Sequence, residues 1–365
     1  MGLINPFLYE TVHLLIMLAF TFSFFMGIQR KRADALINRN KSNYLVFIYG
    51  LLFIIIVGFR PISDAFGDTV NYASTYESFS RIAEKINTSK DSLFYLFMWF
   101  CSQHMGVSWF FLIIEMVYVI PIAYGCIRLL KRNADIALIF SFAAFSFFTY
   151  GVNGIRNGIS MSIVFLAITF INGNPFDKFV CVALSLLAVS LHASAFLPIA
   201  CMLAASLIKK PNILFITWGL SILVSLIAGN TITNLFAGLG FDRLSDYILA
   251  EVDESLFSRV GFRWDFLLYS SAPVLLGWYL VKKKHIYNST YLLLLGTYIF
   301  ANAFWILIIR AEYSNRFAYL SWFLYPIVLA YPLLKLKIWP KSQGQKTGII
   351  MVGHTVFTII MAFFF

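Results

Sequence analysis

The sequence predicts an all-α fold: a polytopic integral membrane bundle of about 12 transmembrane helices, within a range of about 11–13. Three observations predict it. Hydrophobic residues make up 60% of the 365, and the mean hydropathy is +0.79. Only 12% of the residues are charged, against roughly 25% in an average soluble domain, so a water-facing surface could not be covered. The apolar residues also run in long solid stretches, without the alternation that a membrane β-strand needs. Inside a bilayer each backbone N–H and C=O must find a partner within the chain, and for such stretches that partner lies in a helix.

In chain order, helices are predicted at 9–28, 44–59, 107–130, 135–149, 154–171, 178–191, 193–208, 213–229, 264–281, 289–309, 317–335 and 347–365. The first stretch has no basic residue before it and no clear cleavage site, so it reads as a retained helix and not a signal peptide. Residues 178–208 are too long for one span. As a single helix they would extend roughly 46 Å, against a hydrocarbon core of ~30 Å, and a hairpin turning near His192 fits better. Two larger extracytoplasmic loops separate the helices. Residues 60–106 begin with Arg60-Pro61 and end in Leu93–Cys101, an apolar run too short to span and read as re-entrant or interfacial. Residues 230–263 carry Asp242, Arg243, Asp246, Glu251, Asp253 and Glu254. With no linker, low-complexity stretch or internal repeat, residues 1–365 read as a single polytopic domain.

Charge orients the bundle. Alternating through twelve spans from a cytoplasmic Arg30–Lys41 segment puts 18 Lys and Arg on the cytoplasmic side and 10 on the other. The acids run the opposite way, and both termini are predicted extracytoplasmic. The formal net charge of +11 is therefore read as topology, not as a nucleic-acid surface. The outer ten bases are eight Arg and two Lys, while the inner set is mostly Lys. Topology needs only charge; a planar guanidinium is favoured where phosphate or carboxylate must be gripped. The four cysteines lie in apolar stretches without CxxC spacing and read as buried fillers.

Several polar residues sit at the mouths of predicted spans, where an unpaired charge is costly. Arg156, in Asn153-Gly154-Ile155-Arg156-Asn157-Gly158, opens a helix at its partially positive end, which favours an anion. The alternative is an arginine snorkelling to the interface. His192 reads either as a turn histidine or as a proton acceptor or diphosphate contact. Arg263 and Asp265 are two apart, a spacing at which helical side chains do not face each other, so separate partners are expected. Arg310 and Arg316 bracket a short outer turn in which Glu312 could neutralise one of them. Asp68 precedes Thr69 and Tyr72 and reads as a loop acid or a base. Glu115 lies inside a helix and must be paired, protonated or functional. No Walker, HExxH or GxSxG motif is present, and no metal site or cofactor is expected.

At these residues the chain resembles the EpsG-like family of Wzy-type polysaccharide polymerases. The pieces are Arg60 with Gly67-Asp68-Thr69 and Tyr72, then Asn153–Gly158, Leu191-His192-Ala193-Ser194-Ala195, Gly261-Phe262-Arg263-Trp264-Asp265-Phe266, and Asn315-Arg316-Phe317-Ala318-Tyr319. Ala193 stands where the family commonly has proline. The resemblance implies a protein of the bacterial inner membrane, with a GT-C-like helical architecture. It also implies joining of oligosaccharide repeat units, carried on undecaprenyl diphosphate, at the outer leaflet. The partners expected are that lipid-linked oligosaccharide, the lipid bilayer and a chain-length regulator. Read with the physics of a dry anion site, Arg156, Arg263 and Arg316, with Arg60, would hold the diphosphate without a metal. Tyr72, Asn153 and Asn157 would line the site, and Asp68, His192 or Asp265 would be the base. An O-antigen ligase, a membrane O-acyltransferase and a lipid-linked oligosaccharide flippase are the competing readings.

Overall fold

The computed structural model describes residues 5–81, 91–208, 210–238, 261–311 and 314–364. Every regular element among the described residues is helical. Among the described residues, six helical stretches are long and apolar enough to cross a membrane: Pro6–Ile28, Val107–Phe142, Asn212–Gly229, Ser289–Leu307, Ser314–Lys335 and Gln343–Phe363. Tyr44–Gly58, Ile155–Ile168 and Ala193–Leu207 are shorter apolar helices. A helix of about 15 residues reaches only ~22 Å. The predicted 135–149 run is two short helices, Ala134–Phe142 and Phe145–Val152, separated at Ala143-Ala144. The 264–281 run is a helix, Trp264–Trp278, closed by a wider π turn.

The chain divides into two compact units, Met1–Phe196 with Ala330–Ala362, and Leu197–Leu329 with Phe363–Phe365. In the first, Val107–Leu130 packs against Tyr44–Gly58 and Ile155–Ile168, and the latter against Pro175–Leu191. Small residues set the spacing. A Cβ on Gly125 would come within 2.5 Å of the Phe165 ring, and one on Gly58 within 2.7 Å of the Leu112 backbone. The Tyr44–Gly58 helix buries Val46, Phe53, Ile54 and Val57 but exposes Leu45, Ile48, Leu51, Leu52 and Ile55. It has no polar face, which suits lipid on one side and protein on the other.

The same unit holds a closed polar knot. Arg39 donates from Nη1 and Nη2 to the two oxygens of Asp135, each at 2.9 Å, and the Asn43 N–H adds a third bond at 2.7 Å. Asn133 beside it donates to the carbonyls of Leu36 and Leu334, each at 3.1 Å. Gln343 closes the neighbouring turn onto the Leu333 and Leu336 carbonyls at 2.8 Å.

Two segments position the site in this unit. Residues 60–106, expected as a loop with one short re-entrant or interfacial helix, hold two α-helices among the described residues: Thr69–Ser80 and Ser92–His104. The first is polar overall, yet Thr69, Tyr72, Ala73 and Tyr76 are buried at helical spacing, so an aromatic stripe anchors it. The break expected near His192 is present. Pro175–Leu191, opened by an Asn174–Asp177 capping box, ends at His192 in extended backbone, and a single turn, Ala193–Ala195, precedes Phe196–Leu207.

In the second unit, Asn212–Gly238 packs along Ser289–Leu307. A buried polar chain links Trp218 Nε1 to Asn302 Oδ1 at 2.9 Å and Asn302 Nδ2 to Ser321 Oγ at 3.1 Å. Ser270 receives Tyr298 OH at 2.8 Å and Trp322 Nε1 at 2.7 Å, and Tyr269 stacks on Tyr325 with centroids 4.2 Å apart. Most of the predicted 230–263 loop, with Asp242, Arg243, Asp246, Glu251, Asp253 and Glu254, lies outside the described residues.

Candidate functional site

Arg60 follows directly on the Tyr44–Gly58 helix and turns inward. Its Nη1 donates to Glu115 Oε1 at 3.1 Å and to the Val57 carbonyl at 2.8 Å. Nε reaches Thr69 Oγ1 at 3.3 Å, and Nη2 the Val152 carbonyl at 3.4 Å. Both side chains of the pair are fully enclosed. Burying either charge alone would be costly, and the pair with its hydrogen bonds offsets that. Glu115 thus finds the partner its helix position demands. Arg60 reaches no surface from which to meet a substrate; it braces Thr69 and the Val152 carbonyl beside the site.

Gly67 explains the next motif. Its φ of +57° suits glycine, and a Cβ there would lie 2.5 Å from the Asn153 side chain. That close approach lets Asn153 Oδ1 accept the Asp68 N–H at 2.9 Å. Thr69 Oγ1 donates to the Val152 carbonyl at 2.9 Å. Asp68, half-buried, stands at the N-cap position of the Thr69–Ser80 helix without a side-chain cap bond, and its Oδ1 lies 3.5 Å from Asn71 Nδ2. One turn on, Tyr72 OH accepts from Arg156 Nε at 3.2 Å. The Gly67-Asp68-Thr69…Tyr72 and Asn153…Arg156 pieces are therefore one bonded assembly. Burial pushes the Tyr72 phenol above its usual range, against the pull of the Arg156 guanidinium, so it stays a neutral hydroxyl.

The centre of the assembly is a residue the sequence reading did not single out. Asp91, 5% exposed, accepts Arg156 Nη1 at 2.9 Å and His192 Nδ1 at 3.1 Å on Oδ2, and the Ala193 N–H at 3.0 Å on Oδ1. Tyr95 OH takes a second bond from Arg156 Nη1 at 3.0 Å. Asp91 has a φ of +50°, a left-handed backbone that aspartate tolerates better than most residues, and it precedes the Ser92–His104 helix. Arg156 keeps 24% of its side chain exposed, and its Nη2 makes no hydrogen bond among the described residues. In the adjoining chain, Asn157 Oδ1 and Ser194 Oγ are buried polar atoms with no partner among the described residues. The sequence signal for Asp91 was an acid just ahead of the apolar Leu93–Cys101 run, a common helix-start pattern that carries no chemistry of its own.

In the second unit, Arg263 and Asp265 pair with each other, correcting the expectation of separate partners. Arg263 Nη2 lies 2.6 Å from Asp265 Oδ2, and Nε lies 3.0 Å from Oδ1. The spacing rule fails because Arg263 precedes the helix in non-helical backbone (ψ 78°), from which its side chain folds back onto the first turn. Its guanidinium also covers the Phe266 ring at 3.6 Å. Arg316 lies exposed near the start of Ser314–Trp322. Arg310 is half-buried, 5.6 Å from the Phe262 ring. Glu312, expected to neutralise one of these arginines, lies outside the described residues. Among the described residues, no group of three or more His, Cys, Asp or Glu side chains is placed to hold a metal ion.

Apolar helices of membrane length and bare aliphatic faces define a multi-pass membrane protein. The EpsG family model matches residues 43–365, and the chain belongs to the EpsG family. No curated protein and no solved structure matches it. Membership points to a polysaccharide-polymerase-like membrane protein, consistent with a glycosyltransferase-type enzyme.

Proposed function

We propose that the protein joins oligosaccharide repeat units carried on undecaprenyl diphosphate, at the outer face of a bacterial inner membrane. The observation that carries this reading is Arg156: a guanidinium held on three sides by Asp91, Tyr72 and Tyr95, with Nη2 uncommitted among the described residues. A donor reaching that face must arrive already activated. A lipid diphosphate meets this need, since its tail dissolves in the bilayer and its head is an anion. As the acceptor hydroxyl oxygen bonds to the anomeric carbon, the bond from that carbon to the phosphate oxygen breaks. The electron pair leaves with the diphosphate, where Arg156 stabilises the developing charge without a metal. The acceptor proton passes to a base.

Among the three candidate bases, His192 is preferred. Asp265 carries the Arg263 guanidinium on both oxygens, so its lone pairs are already engaged. His192 stands on the same carboxylate as Arg156, so base and anion site are held together. Asn157 Oδ1 and Ser194 Oγ would be satisfied by glycan hydroxyls. Arg263 and Arg316 are proposed as further contacts to the lipid-linked substrate, on the strength of residue type and family motif. Arg60 is assigned a positioning role.

The test is purified protein in liposomes given only lipid-linked repeat units. A polymerase makes a ladder of lengthening products. No new glycosidic bond without a separate acceptor would favour the ligase reading, transfer of labelled acetyl the acyltransferase, and movement without bond formation the flippase.

A further inference from the structure

We infer that Asp91 is the positioning residue of this site: its carboxylate holds the His192 imidazole with the proton on Nδ1 and, through the same oxygen, sets the Arg156 guanidinium. The inference rests on the reading of the site given above and names the group on which base and anion-binder both depend. A ring nitrogen facing a carboxylate must be the donor, so Nδ1 carries hydrogen and Nε2 is the nitrogen able to take the acceptor's proton. Arg156 Nη1 and the Ala193 N–H are donors as well. Three donors on two oxygens require a group that only accepts. An asparagine would turn an N–H₂ either toward the Ala193 N–H or toward Arg156 and His192, and in neither orientation can all three bonds survive. Burial sharpens the demand, because each of these groups has little water to fall back on. The left-handed backbone at Asp91 fits the same purpose: strain is accepted where the side chain must point one way.

The experiment uses full-length protein in lipid nanodiscs, labelled with [15N]histidine and read at alkaline pH, where the neutral ring shows its tautomer. His192 is identified as the signal missing from His192→Gln. Wild-type protein is expected to carry the proton on Nδ1, and Asp91→Ala, which offers no side-chain acceptor, to lose that form. Asp91→Glu, which keeps two accepting oxygens, is expected to recover part of it. In the polymerisation assay, Asp91→Asn should lower kcat on the order of 10²-fold, with a smaller change in KM. Asp91→Glu should lie between that variant and wild type. A wild-type His192 protonated on Nε2, or an Asp91→Ala signal superposing on wild type, overturns the inference. A wild-type protein with the Nδ1 tautomer that makes no glycosidic bond leaves Asp91 in place and instead refutes the polymerase reading.

Discussion

Two arginine–aspartate pairs in the first unit have the same 2.9 Å contact and different meanings. Arg39 lays both Nη atoms on both oxygens of Asp135, fork on fork, with 11% of its side chain exposed. Arg156 commits only Nη1 to Asp91, shares that oxygen with His192, and keeps 24% exposed. The first pair is completed by itself and by the Asn43 N–H. The second leaves donor capacity that nothing described in the protein uses. The difference separates a group that holds the chain from one proposed to meet a ligand. Arg60–Glu115 falls on the closed side, since Arg60 donates to Glu115, Thr69 and the Val57 and Val152 carbonyls and neither side chain is exposed.

The sharpest way to break this comparison is to open the closed pair. Asp135→Ala leaves Arg39 uncompensated in a largely buried setting, an effect of about 3–5 kcal/mol. The protein should fall in steady-state amount and in thermal midpoint in membranes, and polymer should fall with it. Arg156→Ala should do the reverse: polymer falls roughly 10²–10³-fold, while protein in the membrane stays near wild type. Arg156→Lys keeps charge without the planar fork and should recover little. Equal losses of protein from both variants would erase the distinction.

Smaller changes sharpen it. Gly67→Ala forces a side chain into a left-handed backbone and against Asn153, a strain of about 1–3 kcal/mol. Lower melting and shorter polymer should appear together, because the contact serves both fold and site. Tyr72→Phe removes only the hydroxyl that accepts Arg156 Nε at 3.2 Å. A loss of ~0.5–1.5 kcal/mol predicts at most a tenfold drop in rate with no change in amount of protein. A larger fall would mean that the hydroxyl touches substrate.

Much of this was legible in residues. Solid apolar runs announced helices, because in lipid the backbone has no other outlet, but not their breaks: 135–149 is two helices, 317–335 is interrupted between Trp322 and Tyr325, and six helices among the described residues are long and apolar enough to span, against about 12 expected. Arg156 and His192 stood out as polar groups at span mouths. The helix Thr69–Ser80 did not, although Thr69, Tyr72 and Tyr76 at helical spacing could have revealed it; its polar surface hid a narrow aromatic stripe. Asp91 was invisible because its importance comes from partners 65 and 101 positions away, and nothing local encodes them. The Arg263–Asp265 pairing was misjudged for a local reason: the spacing rule assumes both residues are helical, and one is not.

The bond from the Asp68 N–H to the Asn153 amide, made possible by Gly67, binds two stretches 85 positions apart into a single heritable unit. A chimaera that imports one stretch from a distant relative and keeps the other would bring a mismatched lock to an old key. Such grafts should fail unless both travel together, so shuffling experiments on this protein ought to cut outside 60–153 rather than within it.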